Sequence, residues 1–72
     1  MISKLDFARA VLAIASDHGT KLRIAVEHDE DRVEPRRAWR EFWDTITDPE
    51  LKMLAFQTYW DAYENTVVTN RV

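Results

Sequence analysis

The sequence contains no cysteine, a single glycine and only two prolines. Without cysteine, the chain can form no disulfide and no cysteine-based zinc site, and it has no thiol for nucleophilic catalysis. Its longest uninterrupted apolar run, residues 10–15, is far too short for a transmembrane helix or for the apolar region of a signal peptide. We therefore expect a protein of the cytoplasm that makes no use of a membrane.

The chain has 72 residues and a formal net charge of −3 at pH 7. This length suits one small domain spanning residues 1–72. Hydrophobic residues make up 46% of the chain and charged residues 32%, which is typical of a folded domain and not of a disordered segment. The negative charge disfavours extensive contact with nucleic-acid phosphates but is compatible with a local basic patch.

Residues 4–18 predict the first helix. Ser3 suits the N-cap position, with Asp6 three residues later, and Gly19 suits the left-handed residue that follows a helix. His18, near this predicted end, is interpreted as a cation that caps the last carbonyl groups. Apolar residues cover about half of the helix circumference, so we expect contact with two neighbouring helices. These residues are Leu5, Phe7, Ala8, Val11, Leu12, Ile14 and Ala15.

The segment after Gly19 favours a short strand over a helix at about residues 21–27. Leu22, Ile24 and Val26 alternate there with polar residues, which is the strand period. A lone strand needs a partner for its backbone groups. A second short strand at residues 66–72, from this chain or from a second copy, is the candidate.

Two further helices are predicted, each beginning at a proline. The helix at residues 35–46 has Pro35 in its first position and Glu34 as its N-cap. The helix at residues 49–64 has Asp48 as its N-cap, followed by a proline.

The sequence therefore predicts a mainly α, small three-helix domain. It also predicts one short strand or extended segment at about residues 21–27 and a short C-terminal strand at 66–72. The exposed loop predicted at residues 27–34 holds five acidic residues and one arginine.

Seven of the eight aromatic residues lie between Trp39 and Tyr63. On the last helix, a strip of small residues and a strip of bulky residues are expected side by side. The small strip consists of Leu51, Ala55, Thr58 and Ala62; the bulky strip consists of Met53, Phe56, Tyr59, Trp60 and Tyr63. The simplest interpretation is that both strips belong to the core.

Three short helices that meet along one seam have too little interior for all of these rings, which favours an intermolecular contact. Tyrosine and tryptophan also dominate the energetically important positions of protein interfaces. The predicted protein interface consists of Trp39, Trp43, Phe56, Tyr59, Trp60 and Tyr63.

Charge is distributed unevenly along the chain. Formal charge is −4 over residues 27–34 and +1 over residues 35–46, so an acidic loop runs directly into a basic helix start. Arginines in a first helical turn oppose the helix dipole and need compensation, for which a surface salt-bridge network with the loop is the simplest source. The alternative is that these charges form a docking site. The charged residues concerned are Asp29, Glu30, Asp31, Arg36, Arg37 and Arg40.

The residues that carry catalytic or metal chemistry do not form a recognisable site. Ser16, Asp17 and His18 have the residue types of a catalytic triad, but consecutive helical positions point in different directions. The acidic loop around His28 lacks the central glycine of a calcium-binding loop. We expect no enzymatic activity, no bound metal and no cofactor.

The aromatic surface and the acidic loop together favour a non-enzymatic protein-binding regulator or inhibitor that acts as a homodimer. Tiny acidic domains resemble, as a class, phage- or plasmid-encoded inhibitors of host enzymes and nucleic-acid machines. That resemblance implies another protein as the partner, with a nucleic-acid-processing enzyme or complex as one candidate.

The alternative is a DNA- or RNA-binding regulator. The corner between the second and third predicted helices could serve as a helix-turn-helix, with Arg36, Arg37 and Arg40 as its cations. The acidic residues of the last helix argue against it, because they would face phosphates.

Overall fold

The computed structural model describes residues 3–67 and contains three helices there: α1 (Lys4–Glu27), α2 (Val33–Asp44) and α3 (Pro49–Asn65). The start of α3 lies beside the start of α1, and the side chain of Arg23 near the end of α1 donates to the Tyr63 carbonyl near the end of α3. These two helices are therefore parallel and pack directly against each other, and α2 runs antiparallel to both. The prediction of a mainly α, three-helix domain is confirmed.

The strand predicted at residues 21–27 is wrong, because these residues form the last two turns of α1. Leu22 and Ala25 are buried and Val26 is half-buried, whereas Ile24 points outward. Packing against the neighbouring helices thus outweighs the alternating pattern of the sequence.

The predicted partner strand at 66–72 has no strand in its described part, residues 66–67, and residues 68–72 lie outside the described residues. The Thr66 hydroxyl donates to the Ala62 carbonyl one turn earlier in α3, and it lies 3.3 Å from the Thr20 hydroxyl of α1. These contacts tie the end of α3 to α1.

Gly19 lies inside α1 and is buried against α3, so its predicted role as a left-handed residue after the helix is also wrong. A Cβ at Gly19 would overlap the Tyr59 carbonyl oxygen and would lie 3.1 Å from the Ala62 Cβ. Ala15 and Ala55 are completely buried in the same contact region. Small residues on both helices therefore let α1 and α3 approach closely, as predicted for the small strip of the last helix.

The predicted N-caps of α1 and α3 are confirmed. The Ser3 hydroxyl accepts a hydrogen bond from the Asp6 N–H at 3.1 Å, and an Asp48 carboxylate oxygen accepts from the Glu50 N–H at 2.9 Å. Each cap satisfies an N–H group that has no partner within its own helix.

The start of α2 differs from the prediction. The helix begins at Val33, and Glu34 lies within its first turn instead of capping it. The Asp31 carboxylate accepts hydrogen bonds from the Val33 N–H at 3.1 Å and the Glu34 N–H at 3.3 Å. Pro35 still falls in the first turn, where its missing N–H is not required.

The acidic loop is a compact turn. Asp29 has a positive φ of 54°, the left-handed conformation that glycine usually occupies after a helix. The Asp29 N–H donates to the Val26 carbonyl at 3.3 Å, and the Glu30 N–H donates to the Ala25 carbonyl at 2.8 Å. This paired bonding pattern ends α1 and turns the chain sharply into α2.

The molecule is a rod with extents of 47 × 20 × 20 Å. A width of 20 Å holds about two helix diameters, so every helix keeps an outer face. The core along its axis consists of Val11, Ala15, Leu22, Trp39, Ile46, Leu51, Ala55 and Tyr59. Within residues 3–67, no helix is both long and apolar enough to cross a membrane.

Candidate binding groove between α2 and α3

An open groove of about 530 Å³ lies between α2 and α3. We call it the aromatic groove. It is lined by Arg36, Trp39, Arg40, Trp43, Phe56, Tyr59 and Trp60.

The floor of the aromatic groove is a buried ring pair. Trp39 and Tyr59 stack face to face with ring centroids 4.2 Å apart, and their exposed fractions are only 8% and 2%. Burial raises the pKa of the Tyr59 hydroxyl, although the positive charge of Arg36 partly opposes this shift. The floor is therefore neutral, apolar and held in place by the core.

The wall on α3 is formed by rings that remain open to solvent. Phe56 is 48% exposed and Trp60 is 38% exposed. The Trp60 ring packs edge-on against Tyr59 at 5.1 Å and against Phe56 at 6.3 Å. These contacts fix the orientation of Trp60 while leaving part of its surface free.

Trp43 closes one end of the groove and is held by the corner between α2 and α3. Its indole N–H donates to the Lys52 carbonyl at 3.0 Å, and the Lys52 ammonium lies 4.1 Å from the centre of a Trp43 ring. The same ammonium lies 3.5 Å from the Ile46 carbonyl oxygen. Lys52, in the first turn of α3, therefore contacts both the Trp43 ring of α2 and the Ile46 carbonyl oxygen in the corner between the two helices.

Two arginines form the charged rim. Arg36 takes part in none of the ion pairs found between residues 3 and 67. The Arg40 Nε lies 4.0 Å from an Asp44 carboxylate oxygen, and both side chains are more than half exposed. Both guanidinium groups are therefore accessible to a ligand that lies in the groove.

The other predicted site residues lie elsewhere. Tyr63 is half-buried beyond the groove, where its ring lies 5.3 Å from the Arg23 guanidinium. Arg37 pairs with Glu34 at 3.0 Å. That hydrogen-bonded pair raises the pKa of Arg37.

Asp29, Glu30 and Asp31 form no ion pair with Arg36 or Arg37 among the described residues. Asp31 caps α2, while the Asp29 carboxylate lies 3.7 Å from Arg32. The simple salt-bridge network expected from the sequence is therefore replaced by local contacts within each segment. Glu30 is exposed.

His18 lies in the middle of α1, so its predicted role as a cap at the end of the helix is wrong. Its ring lies 5.9 Å from the Trp39 ring and 5.7 Å from the Phe42 ring. Burial, and then the positive charge of Lys21, lower the pKa of His18. His18 lies three residues after Ala15 on the apolar stripe of α1, and this spacing in the sequence indicates a position that faces the core.

Between Ser3 and Val67, no group of three histidine or acidic side chains is placed to hold a metal ion. Asp17, which with Ser16 and His18 supplies the residue types of a triad, pairs with Lys21 at 2.9 Å.

Comparisons of the chain with protein-family models, curated proteins and solved structures find no match.

Proposed function

We propose that this protein is a non-enzymatic, cytoplasmic regulator or inhibitor that binds another protein through the aromatic groove. The observation that supports this proposal is the exposure of Phe56 and Trp60, at 48% and 38%, in the same groove as the exposed side chain of Arg36. Tryptophan and arginine are enriched among the residues that contribute most to protein–protein affinity.

The side chains of the groove are also ordered before a partner binds. The stack of Trp39 on Tyr59 and the hydrogen bond from Trp43 to Lys52 already hold its surface in place. A preorganised surface loses less conformational entropy when a partner binds, so more of the contact energy contributes to affinity.

The acidic loop is proposed as a second contact, which attracts a basic surface of the partner. Asp29 and Glu30 are exposed, and the hydrogen bonds of the turn hold them next to each other. A fixed cluster of negative charge accelerates encounter with a basic partner, such as a nucleic-acid-processing enzyme. Replacing Glu30 by Gln should slow association and weaken its dependence on salt.

The decisive experiment is affinity capture from the native host, mass identification of the captured protein, and calorimetry with that purified protein. We expect Phe56→Ala plus Trp60→Ala to weaken binding by at least about tenfold, which corresponds to 1.4 kcal/mol. The control is Phe7→Ala plus Leu54→Ala, because these side chains are 57% and 48% exposed but lie outside the groove. Equal losses in both double variants would contradict a specific role for the groove.

The homodimer stays a prediction. Multi-angle light scattering across a concentration series measures it directly, and the expected result is twice the monomer mass at high concentration. A monomer throughout would leave the groove proposal intact and would remove the dimer.

Binding of single-stranded nucleic acid is the second candidate, because Arg36 and Arg40 line the same groove as the exposed ring of Trp60. Such a combination of cation and ring also suits base stacking. A gel shift at low salt with oligo(dT) and with random duplex tests it. Binding that is lost in Arg36→Ala plus Arg40→Ala would support this candidate over the first.

A further inference from the structure

The aromatic groove is a basic site on an acidic protein. The formal net charge of the chain is −3, whereas the charged side chains among the described residues that line the groove are Arg36 and Arg40. A ligand that enters the groove therefore meets a local field opposite in sign to that of the whole molecule.

The two rim arginines are less closely paired than Arg23 and Arg37. Arg23 lies 2.9 Å from a Glu27 carboxylate oxygen, and Arg37 lies 3.0 Å from Glu34. By contrast, no ion pair among residues 3–67 includes Arg36, and Arg40 has only the 4.0 Å contact with Asp44. The hydrogen-bond donors of the rim are thus largely available.

The rim arginines are four residues apart on α2, so their Cβ atoms lie on the same helix face, about 6 Å from each other. Two carboxylates of a short peptide can span this distance. Below the rim, the exposed surfaces of Phe56 and Trp60 offer an apolar contact. Charge and apolar surface therefore occur together within one groove.

We propose that the groove binds an acidic peptide segment that carries one aromatic or long aliphatic anchor. The carboxylates accept hydrogen bonds from Arg36 and Arg40, and the anchor packs against Phe56 and Trp60. Arginine favours this chemistry because its planar donors match a carboxylate with two parallel hydrogen bonds. This inference rests on the proposed function and specifies the chemistry of the partner.

A peptide fits these charges better than a nucleic-acid strand does. A strand needs a continuous basic track for successive phosphates. The same two helices also carry Glu34, Asp44, Asp61 and Glu64, so a long polyanion would extend beyond two cations onto acidic residues. A short acidic segment requires only the two arginines of the rim.

A phage-displayed library of random peptides, each about 12 residues long, tests the proposal on the full chain. Peptides that bind the Trp60→Ala variant are removed by counter-selection. We expect the enriched sequences to be net negative and to contain an aromatic residue or leucine. One enriched peptide is then synthesised, together with a version in which Asn and Gln replace Asp and Glu.

Calorimetry with these two peptides measures the role of the rim. We expect Arg36→Gln plus Arg40→Gln to lower the affinity for the acidic peptide by at least about tenfold. The amide version of the peptide should bind wild-type protein as weakly as the acidic peptide binds this double variant. The control, Lys4→Gln plus Arg9→Gln, removes the same charge from exposed positions of α1 that do not line the groove. It should change the affinity by less than about twofold, since exposed charges at a distance are screened.

Several outcomes would overturn the proposal. These are enrichment of neutral or basic peptides, no enrichment beyond peptides that also bind Trp60→Ala, and equal losses in the rim and control variants. Tighter binding of oligo(dT), abolished by the rim substitutions, would assign the groove to nucleic acid. If the captured partner still depends on Phe56 and Trp60 while no acidic peptide binds, only the peptide chemistry fails and the proposed function stands.

Discussion

The Trp39 ring lies face to face on the Tyr59 ring, with a centroid distance of 4.2 Å and an angle of 7° between the ring planes. This pair is both a core contact that joins α2 to α3 and the floor of the aromatic groove. Substitutions in this pair should therefore alter both the stability of the fold and the shape of the proposed binding surface. Variants that test binding must accordingly be placed at the exposed rings and not at the stack.

Replacing Trp39 by Ala should lower the free energy of unfolding by about 3–5 kcal/mol, because it removes a buried ring and leaves a cavity. The same substitution at Trp60, which is 38% exposed, should cost only about 1 kcal/mol. Urea unfolding followed by circular dichroism measures both values. Similar losses would show that the stack does not have the structural role described.

Replacing Gly19 by Ala should destabilise the protein by about 1–3 kcal/mol, because the new Cβ overlaps the Tyr59 carbonyl oxygen. Within an isolated helix the same change would stabilise by about 1 kcal/mol, so the sign of the effect is informative. The matched control is Ala13→Gly at an exposed position of α1, which should cost about 1 kcal/mol through helix propensity alone. A stabilised Gly19→Ala variant would contradict the close approach of α1 and α3.

Replacing Asp29 by Gly should stabilise the protein by about 0.5–1 kcal/mol, because glycine adopts the left-handed conformation without a steric penalty. The exposed contact with Arg32 at 3.7 Å contributes little in comparison. Glu30→Gly removes the same charge at the next residue without that conformational benefit. Thermal unfolding compares the two, and a gain in Glu30→Gly alone would refute this account of the turn.

The stability of the fold should depend on pH through His18. Its pKa in the folded protein is lowered below 6.5 by burial and then by Lys21, so protonation favours the unfolded chain. This contribution is complete above pH 6.5 and is lost as the pH falls through the lower folded value. As the pH is lowered through this range, the urea concentration at the unfolding midpoint should fall in wild type and in the exposed control His28→Gln. It should fall less in His18→Phe. An unchanged pH dependence in His18→Phe would count against this role.

The starts of α1 and α3 could be predicted because their determinants are local. Ser3 and Asp48 cap the helices that follow them by bonding N–H groups two or three residues away. The end of α1 could not be predicted in this way, because Gly19 is buried inside the helix by contacts with Tyr59 and Ala62, which lie about 40 positions later in the sequence. A strand pattern at 21–27 and a glycine that suits a helix end therefore gave the wrong boundary.

The sequence predicts which aromatic residues lie close together in the groove, but it does not predict which of their rings are buried and which are exposed. Tyr59 and Trp60 are adjacent in sequence, yet one is 2% exposed and the other 38%. Composition predicts both as interface residues, whereas the stack of Tyr59 on Trp39 of α2 places only the Tyr59 ring in the core. The corner contact of Lys52 with Trp43 likewise depends on how the two helices meet.

The three tryptophans occupy three different environments, which gives the protein its own optical reporters. Trp39 is buried in a ring stack, Trp43 lies beside an ammonium group, and Trp60 is partly in water. Emission from Trp39 should shift to longer wavelength only when the chain unfolds, whereas Trp60 should be quenched by iodide in the native state and shielded by a bound partner. Single-tryptophan variants would thus follow folding and occupancy of the groove as separate signals.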